Sequence, residues 1–364
     1  MKTAIINDLH LGVKRTGGTT PASAAALNEW AFEQYRKLLQ QAVKHGAERI
    51  IVNGDLTDRY DIDLVDALKL FEITGTFMSD HTHVQVIWVL GNHDLSKDSS
   101  KLGTVQFIGS LLSGIHRRFS LVSRSKYWSQ PDTLIIPHLV NQDEFDTAVE
   151  AATKSGPGYL LLHCNYDNPF AGAADHSLNL SREQARRLKK AGVTTILGHE
   201  HQGRKDLGDT LVVVGNQFPT SVADCLSHGD AQKDGKKYML MIDDEGRVEH
   251  IETWRAAGSY MEVDWRDLQS ASGDEWDRLQ FIRVSGECSR GEAPAVVKAI
   301  ADLRKQHGAF VITNAVKVEG IEDAEDLAMS VEDIGAVDVV QLLYAMLNPE
   351  QVEVLVTLRE KRNA

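Results

Sequence analysis

The sequence predicts an α/β fold, and three observations predict it. Short apolar runs rich in β-branched residues alternate with longer stretches of helical periodicity along most of the 364 residues. Five of those runs hand the chain directly to residues that bind metals or move protons. Around the middle one, Val84–Leu90, the chain turns at Gly91 into Asn92-His93-Asp94, at the carboxyl end of a strand where α/β sheets build their sites.

Taken in order, the run 3–6 reads as a strand ending in Asp8-Leu9-His10, with Asp8 and His10 on one side by alternation. A glycine-rich loop, Thr16 to Thr20, precedes a helix expected over 23–45, whose face carries Leu27, Trp30, Ala31, Tyr35, Leu38 and Ala42. Strand 49–52 delivers Gly54-Asp55-Leu56-Thr57-Asp58, a helix follows over 64–78, and the central strand comes next. The polar stretch 95–104 reads as a loop beside the site, in reach of substrate. Strand 133–136 and helix 143–153 continue the alternation. Strand 159–162 ends at His163. Ser181 and Gln184 form a capping-box signature for a helix over 182–191. Strand 194–197 then delivers Gly198-His199-Glu200-His201. Three strands with no helix between them, 211–214, 238–242 and 248–253, suggest the antiparallel flank of a second sheet.

Past Ala256-Ala257-Gly258 the rhythm restarts as a small β-α-β block: strand 281–284, a helix over 294–307 with Val297, Ile300, Ala301 and Leu303 inward, and extended chain over 310–318. The block is too small for a large core of its own and is expected to lean on the first domain. Two capped apolar helices close the sequence, one opened by Ser330 and one by Asn348-Pro349.

Composition narrows the class. A hydrophobic fraction of 42% and a charged fraction of 25% are those of a globular protein, and no apolar run reaches the roughly 18 residues of a membrane span. The N-terminus reads straight into a strand without a signal peptide, and Cys164, Cys225 and Cys288 form no disulfide framework, so a reducing cytoplasm is expected. A net charge of −13 argues against broad nonspecific attraction to nucleic acid, although bound cations can reverse the field at a site.

Read singly, each polar residue after a strand is explained by a turn. Five together, Asp8/His10, Asp55, Asn92/His93, His163 and His199/His201, point to a metal site. Carboxylate, imidazole and amide oxygen without thiolate suit borderline to hard divalent ions such as Mn, Fe and Zn. Even seven of these eight residues as donors are too many for one ion, and two ions sharing Asp55 would use them.

Asp8-Leu9-His10, Gly54-Asp55, Gly91-Asn92-His93-Asp94, His163 and Gly198-His199-Glu200-His201, in this order, resemble the motif set of the calcineurin-like metallophosphoesterases. The resemblance covers roughly residues 1–255. It implies a four-layer αββα sandwich, with residues 256–325 as a small α+β capping domain and 326–364 as a helical tail. It also implies one metal held by Asp8, His10, Asp55 and His201 and a second by Asp55, Asn92, His163 and His199. His93 would donate a proton to the leaving oxygen, oriented by Asp58.

Asp8-Leu9-His10-Leu11-Gly12, the small block and the apolar tail further resemble SbcD-type DNA exonuclease subunits, with the short tail closest to phage members. That implies manganese as the working ion, DNA as substrate, and a tail that docks on the coiled-coil root of an SMC-like ATPase in DNA repair or recombination. Val214-Gly215-Asn216-Gln217 departs from the Gly-Ser that many members carry there. Two other readings stay open: a free-standing phosphodiesterase or phosphatase for a small molecule or phosphoprotein, and a mainly structural subunit bridging DNA ends. A homodimer is compatible with each.

Overall fold

In the computed structural model, described residues are 1–14, 16–98, 100–129, 131–168, 177–225, 235–268 and 280–319. The two helices expected after Ser330, and with them the docking tail, lie outside the described residues. Apolar strands buried on both faces dominate the architecture, as parallel sheets covered on both sides require.

The first sheet has the order β14-β13-β1-β2-β3-β4, from β1 (Thr3–Ile6), β2 (Arg49–Asn53), β3 (Gln85–Val89), β4 (Phe119–Val122), β13 (Lys236–Ile242) and β14 (Val248–Arg255). Strands β1 to β4 run parallel, and β13 joins β1 antiparallel with Thr3 opposite Ile242. The second sheet has the order β11-β12-β10-β7-β6-β5, from β5 (Lys126–Ser129), β6 (Asp132–Ile136), β7 (Tyr159–His163), β10 (Thr194–Gly198), β11 (Arg204–Asp206) and β12 (Leu211–Val213). The short pair β8 (Asn165–Tyr166) and β9 (Asn179–Leu180) stands apart.

Alternation along each strand sorts its residues into layers. Ile5, Ile51, Ile87 and Leu240 of the first sheet meet Ile135, Leu161, Ile196 and Val212 of the second in a core between the sheets. The opposite face of the first sheet, with Ala4, Ile50, Val52 and Trp88, packs under the helices α1 (Pro21–Lys44), α2 (Leu64–Asp80) and α3 (Thr104–Ile115). Leu160, Leu162 and Leu197 of the second sheet pack under α4 (Gln142–Ser155) and α5 (Arg182–Lys190). The result is the expected helix–sheet–sheet–helix sandwich. Local signals explain the helix ends. Thr20 and Ser23 form a reciprocal capping box ahead of Pro21, and Ser181 with Gln184 does the same for α5.

Three expectations are corrected. The strands near 211, 238 and 248 do not form one flank. β12 extends the second sheet in parallel, while β13 and β14 make the antiparallel flank of the first. Sheet membership follows from long-range pairing that a local pattern does not encode. Helix α3 and strands β4 and β5 were not expected. In the terminal block, β15 (Tyr260–Asp264), β16 (Phe281–Ser285) and β18 (Val311–Asn314) run parallel, and α6 (Ala293–Gln306) buries Val296, Ile300 and Leu303. Val297, expected inward, is 62% exposed. The two-stranded pair β17 (Glu287–Cys288) and β19 (Lys317–Val318) completes the block. It does lean on the sandwich: Phe281 and Val311 join the core beneath α1, and Ile312 N donates to Gly18 O at 3.0 Å.

Candidate metal centre

Parallel strands bring their carboxyl ends to one edge of a sheet, and two such edges face each other here. From the first sheet come Asp8 and His10 after β1, Asp55 after β2, and Asn92 and His93 after β3. From the second come His163, the last residue of β7, and His199 and His201 after β10. Asp8, His10, Asp55 and His199 all have positive φ, at 51°, 46°, 47° and 88°. Non-glycine residues hold such conformations only where the surroundings impose them, and such strain gathers at functional sites.

The donor atoms form two groups sharing Asp55. In one, His163 Nε2 lies 3.0 Å from Asp55 Oδ2 and 3.1 Å from Asn92 Oδ1, and His199 Nδ1 lies 3.0 Å from Asn92 Oδ1. In the other, His10 Nε2 lies 3.9 Å from Asp55 Oδ2 and 3.0 Å from His201 Nε2. Asp8 Oδ1 accepts from His199 N at 2.9 Å, while its buried Oδ2 has no hydrogen-bond partner among the described residues. Spacings of about 3 Å are those of neighbouring donors around one ion with bonds of about 2.1 Å. The orphaned carboxylate oxygen and the facing imidazole nitrogens fit divalent cations.

Hydrogen bonds fix which nitrogens face inward. His163 Nδ1 donates to Asn53 O at 3.0 Å, which leaves Nε2 as the inward lone pair. His201 Nδ1 donates to Asp224 Oδ1 at 2.8 Å, leaving Nε2 inward in the same way. Without a cation, burial opposes charging His163, but the Asp55 carboxylate outweighs it and pushes the imidazole up to about 10. Burial likewise opposes charging His201, and Asp224 pushes it up to about 9. The carboxylates thus demand positive charge, which a proton or a divalent cation meets. For Asp55 the contest runs the other way: burial would raise it, and His163 holds it well below the usual range. Burial and the neighbouring imidazoles His93 and His201 hold His10 well below the ordinary range.

His93 sits at the rim. Its main-chain N–H donates to Asp55 Oδ1 at 3.0 Å, and its ring stands edge-on to His10 with centroids 4.8 Å apart. Nδ1 lies 2.7 Å from the main-chain oxygen of Asp58, so that contact comes from the backbone rather than from the carboxylate. The Asp58 carboxylate lies 3.8 Å from His10 Nδ1. His93 also stands close enough to His10 and Asp55 that all three could meet one ion.

Two acidic residues brace the site, Asp94 from the turn after β3 and Asp224, which the sequence pattern does not mark. Asp94 accepts from Gly91 N at 2.9 Å and from Thr57 N and Oγ1 at 3.0 Å, tying the loops after β2 and β3 together. Burial and the nearby Asp55 push its carboxyl up to about 6. Asp224, in the 3₁₀ turn Ala223–Cys225, follows no strand, so nothing in its local pattern marked it.

Fold and donor set together define a metal-dependent phosphoesterase. The family model of the calcineurin-like phosphoesterases matches residues 1–251, and the chain belongs to that family, whose catalytic centre takes two divalent metals. No curated protein matches the chain. Among solved structures, a dimetal phosphatase from Danio rerio is 12% identical, over 70% of this chain and 99% of that one, with a TM-score of 0.37. A cold-active protein-tyrosine phosphatase of a psychrophile Shewanella is 11% identical, over 68% and 80%, with a TM-score of 0.30.

Proposed function

We propose that the chain is a two-metal phosphodiesterase acting on DNA, and that it works with an SMC-like coiled-coil ATPase. The observation that carries the chemistry is Asp55 Oδ2, which stands between the His163 group and the His10 group. In this reading Asp8, His10, Asp55 and His201 hold one cation, and Asp55, Asn92, His163 and His199 hold the other. Manganese is the expected ion. Such cations supply a charge clamp on the attacking and leaving oxygens of an in-line displacement at phosphorus.

The chain's own residues do the rest. The carbonyl of Asp58 can only accept, so it keeps a proton on His93 Nδ1 and makes Nε2 the nitrogen that exchanges a proton with the leaving oxygen. Asp94 holds Gly91 and Thr57 together and so keeps His93 at that rim.

For DNA, the support is the resemblance of Asp8-Leu9-His10-Leu11-Gly12 and the terminal block to SbcD-type subunits, and the seat of that block, where Ile312 N donates to Gly18 O on the loop that leaves His10. A block so placed would extend the surface beside the site for a long substrate. The net charge of −13 favours a second reading, a phosphodiesterase for a small substrate.

Labelled linear DNA and bis(4-nitrophenyl) phosphate, each with Mn, Mg or a chelator, separate the two. Mn-dependent cutting of DNA, stimulated by the ATPase and ATP, supports the nuclease. Turnover of the small diester with DNA left intact under every condition supports the second reading.

A further inference from the structure

Behind His201 lies a buried polar assembly that no part of the proposed chemistry uses. Asp224 Oδ1 accepts from His201 Nδ1 at 2.8 Å. Its other oxygen accepts from Thr220 N at 2.9 Å and from Thr220 Oγ1 and Ser221 N at 3.0 Å. The carboxylate is therefore saturated and fixed in one orientation. A second grip acts on the main chain. Asn216 N donates to His201 O at 3.3 Å, and a Cβ at Gly215, where φ is +79°, would stand 2.8 Å from that oxygen. Asn216 is in turn held by the ammonium group of Lys237, a lysine only 1% exposed on β13 of the first sheet. The run from Gly215 to Asp224 thus ties His201, delivered by the second sheet, to a strand of the first.

The other group is built differently. His163 has a fully buried side chain, and its ring proton goes to a main-chain oxygen, Asn53 O, inside the sheets. His201 keeps 31% of its side chain exposed and takes its orientation from side chains on a loop.

We infer that Asp224 is a positioning residue, backed by Thr220, Asn216 and Lys237, which sets the affinity of the cation on the His10/His201 side independently of the one on the His163/His199 side. This rests on the two-cation reading above. An outer partner of a ligating imidazole typically governs metal affinity by about 10–100-fold. The exposed side is the one that such a partner controls, because among the described residues the His201 ring is oriented by the Asp224 side chain and not by a main-chain contact of the kind that holds His163.

The test titrates Mn²⁺ alone into the full-length, metal-stripped chain by calorimetry, with imidazole NMR of the Zn²⁺-loaded chain as a second readout. The wild type is expected to take up two cations. Asp224→Ala should weaken one of them by about 10–100-fold and leave the other within about twofold. The His201 Nδ1–H signal should be lost while the His163 Nδ1–H signal persists. Thr220→Val, which removes one hydroxyl donor and keeps the backbone, should give a smaller loss at the same cation. It decides the matter if Asp224→Ala does not fold. Equal weakening of both cations, or of neither, with a wild type that binds two, overturns this inference alone. A wild type that binds fewer than two overturns the two-cation reading and this inference with it.

Discussion

The two sheets contribute unlike chemistry to one edge. The first supplies the carboxylates Asp8 and Asp55 and the amide of Asn92, with the imidazole of His10 among them and that of His93 at the rim. The second supplies only imidazoles, His163, His199 and His201. The negative charge therefore comes from one layer alone and the other adds only neutral lone pairs, so the cradle exists only where the layers are packed in register. The packing is specific. Asn7 Nδ2 donates to Leu197 O at 3.1 Å and Asn53 Nδ2 to Leu162 O at 3.0 Å, two buried bonds that stitch first to second sheet. At one close approach of the sheets, a Cβ on Gly198 would lie 2.6 Å from Asn53 O.

The largest effect should come from the charge the two groups share. Asp55→Asn is expected to abolish phosphodiester hydrolysis and lower cation stoichiometry, whereas His199→Ala should retain one cation. If both variants bind the same amount of Mn in calorimetry, charge is not concentrated in the first sheet as described. Next comes proton transfer from that sheet's rim. His93→Gln should keep both cations yet lose about 10²–10⁴-fold in rate on DNA. A smaller loss is expected on a nitrophenyl diester, whose leaving group needs little protonation. Loss of a cation in that variant would make His93 a ligand instead.

The contact between the layers can be tested without touching a donor. Leu161→Ala in the core between the sheets should cost about 2–5 kcal/mol in denaturant unfolding. It should also weaken Mn binding, although Leu161 supplies no donor atom. Unchanged affinity would mean that the strand ends hold the cradle without the sheets' help. The smallest effect is expected from the stitching. Asn7→Ala removes one of two donors to Leu197 O, which keeps Val214 N at 3.1 Å, and should cost about 0.5–1.5 kcal/mol, read as a lower midpoint with an unchanged denaturant slope.

Much of the site was readable because parallel strands are simple devices. A buried apolar run followed by a metal-type residue needs only the rule that carboxyl ends share an edge, and Asp8, Asp55, Asn92, His163 and His199 all obey it. Asp224 was not readable: it lies in a 3₁₀ turn, and its role depends on a histidine 23 residues away in sequence. Helix α3 was hidden for another reason. Val105, Ile108 and Leu112 are buried, but Phe107, Leu111 and Ile115 are apolar and exposed, so the stretch has no clean polar face, and Gly109 and Gly114 lower its helix propensity. The flank β13–β14 falls on the first sheet, against what its local pattern suggests, because its pairing with β1 joins residues nearly the whole domain apart.

The orphaned oxygen of Asp8 has a thermodynamic consequence. A cation that binds the folded chain at this buried carboxylate, and finds no such cradle in the unfolded one, adds its binding free energy to folding. At about 100 times its dissociation constant, each such ion contributes about 2.7 kcal/mol. That is a large fraction of the margin by which a domain stays folded. The lifetime of the chain against proteases would then track the free metal around it. Scarcity of the ion would remove the protein as well as its activity.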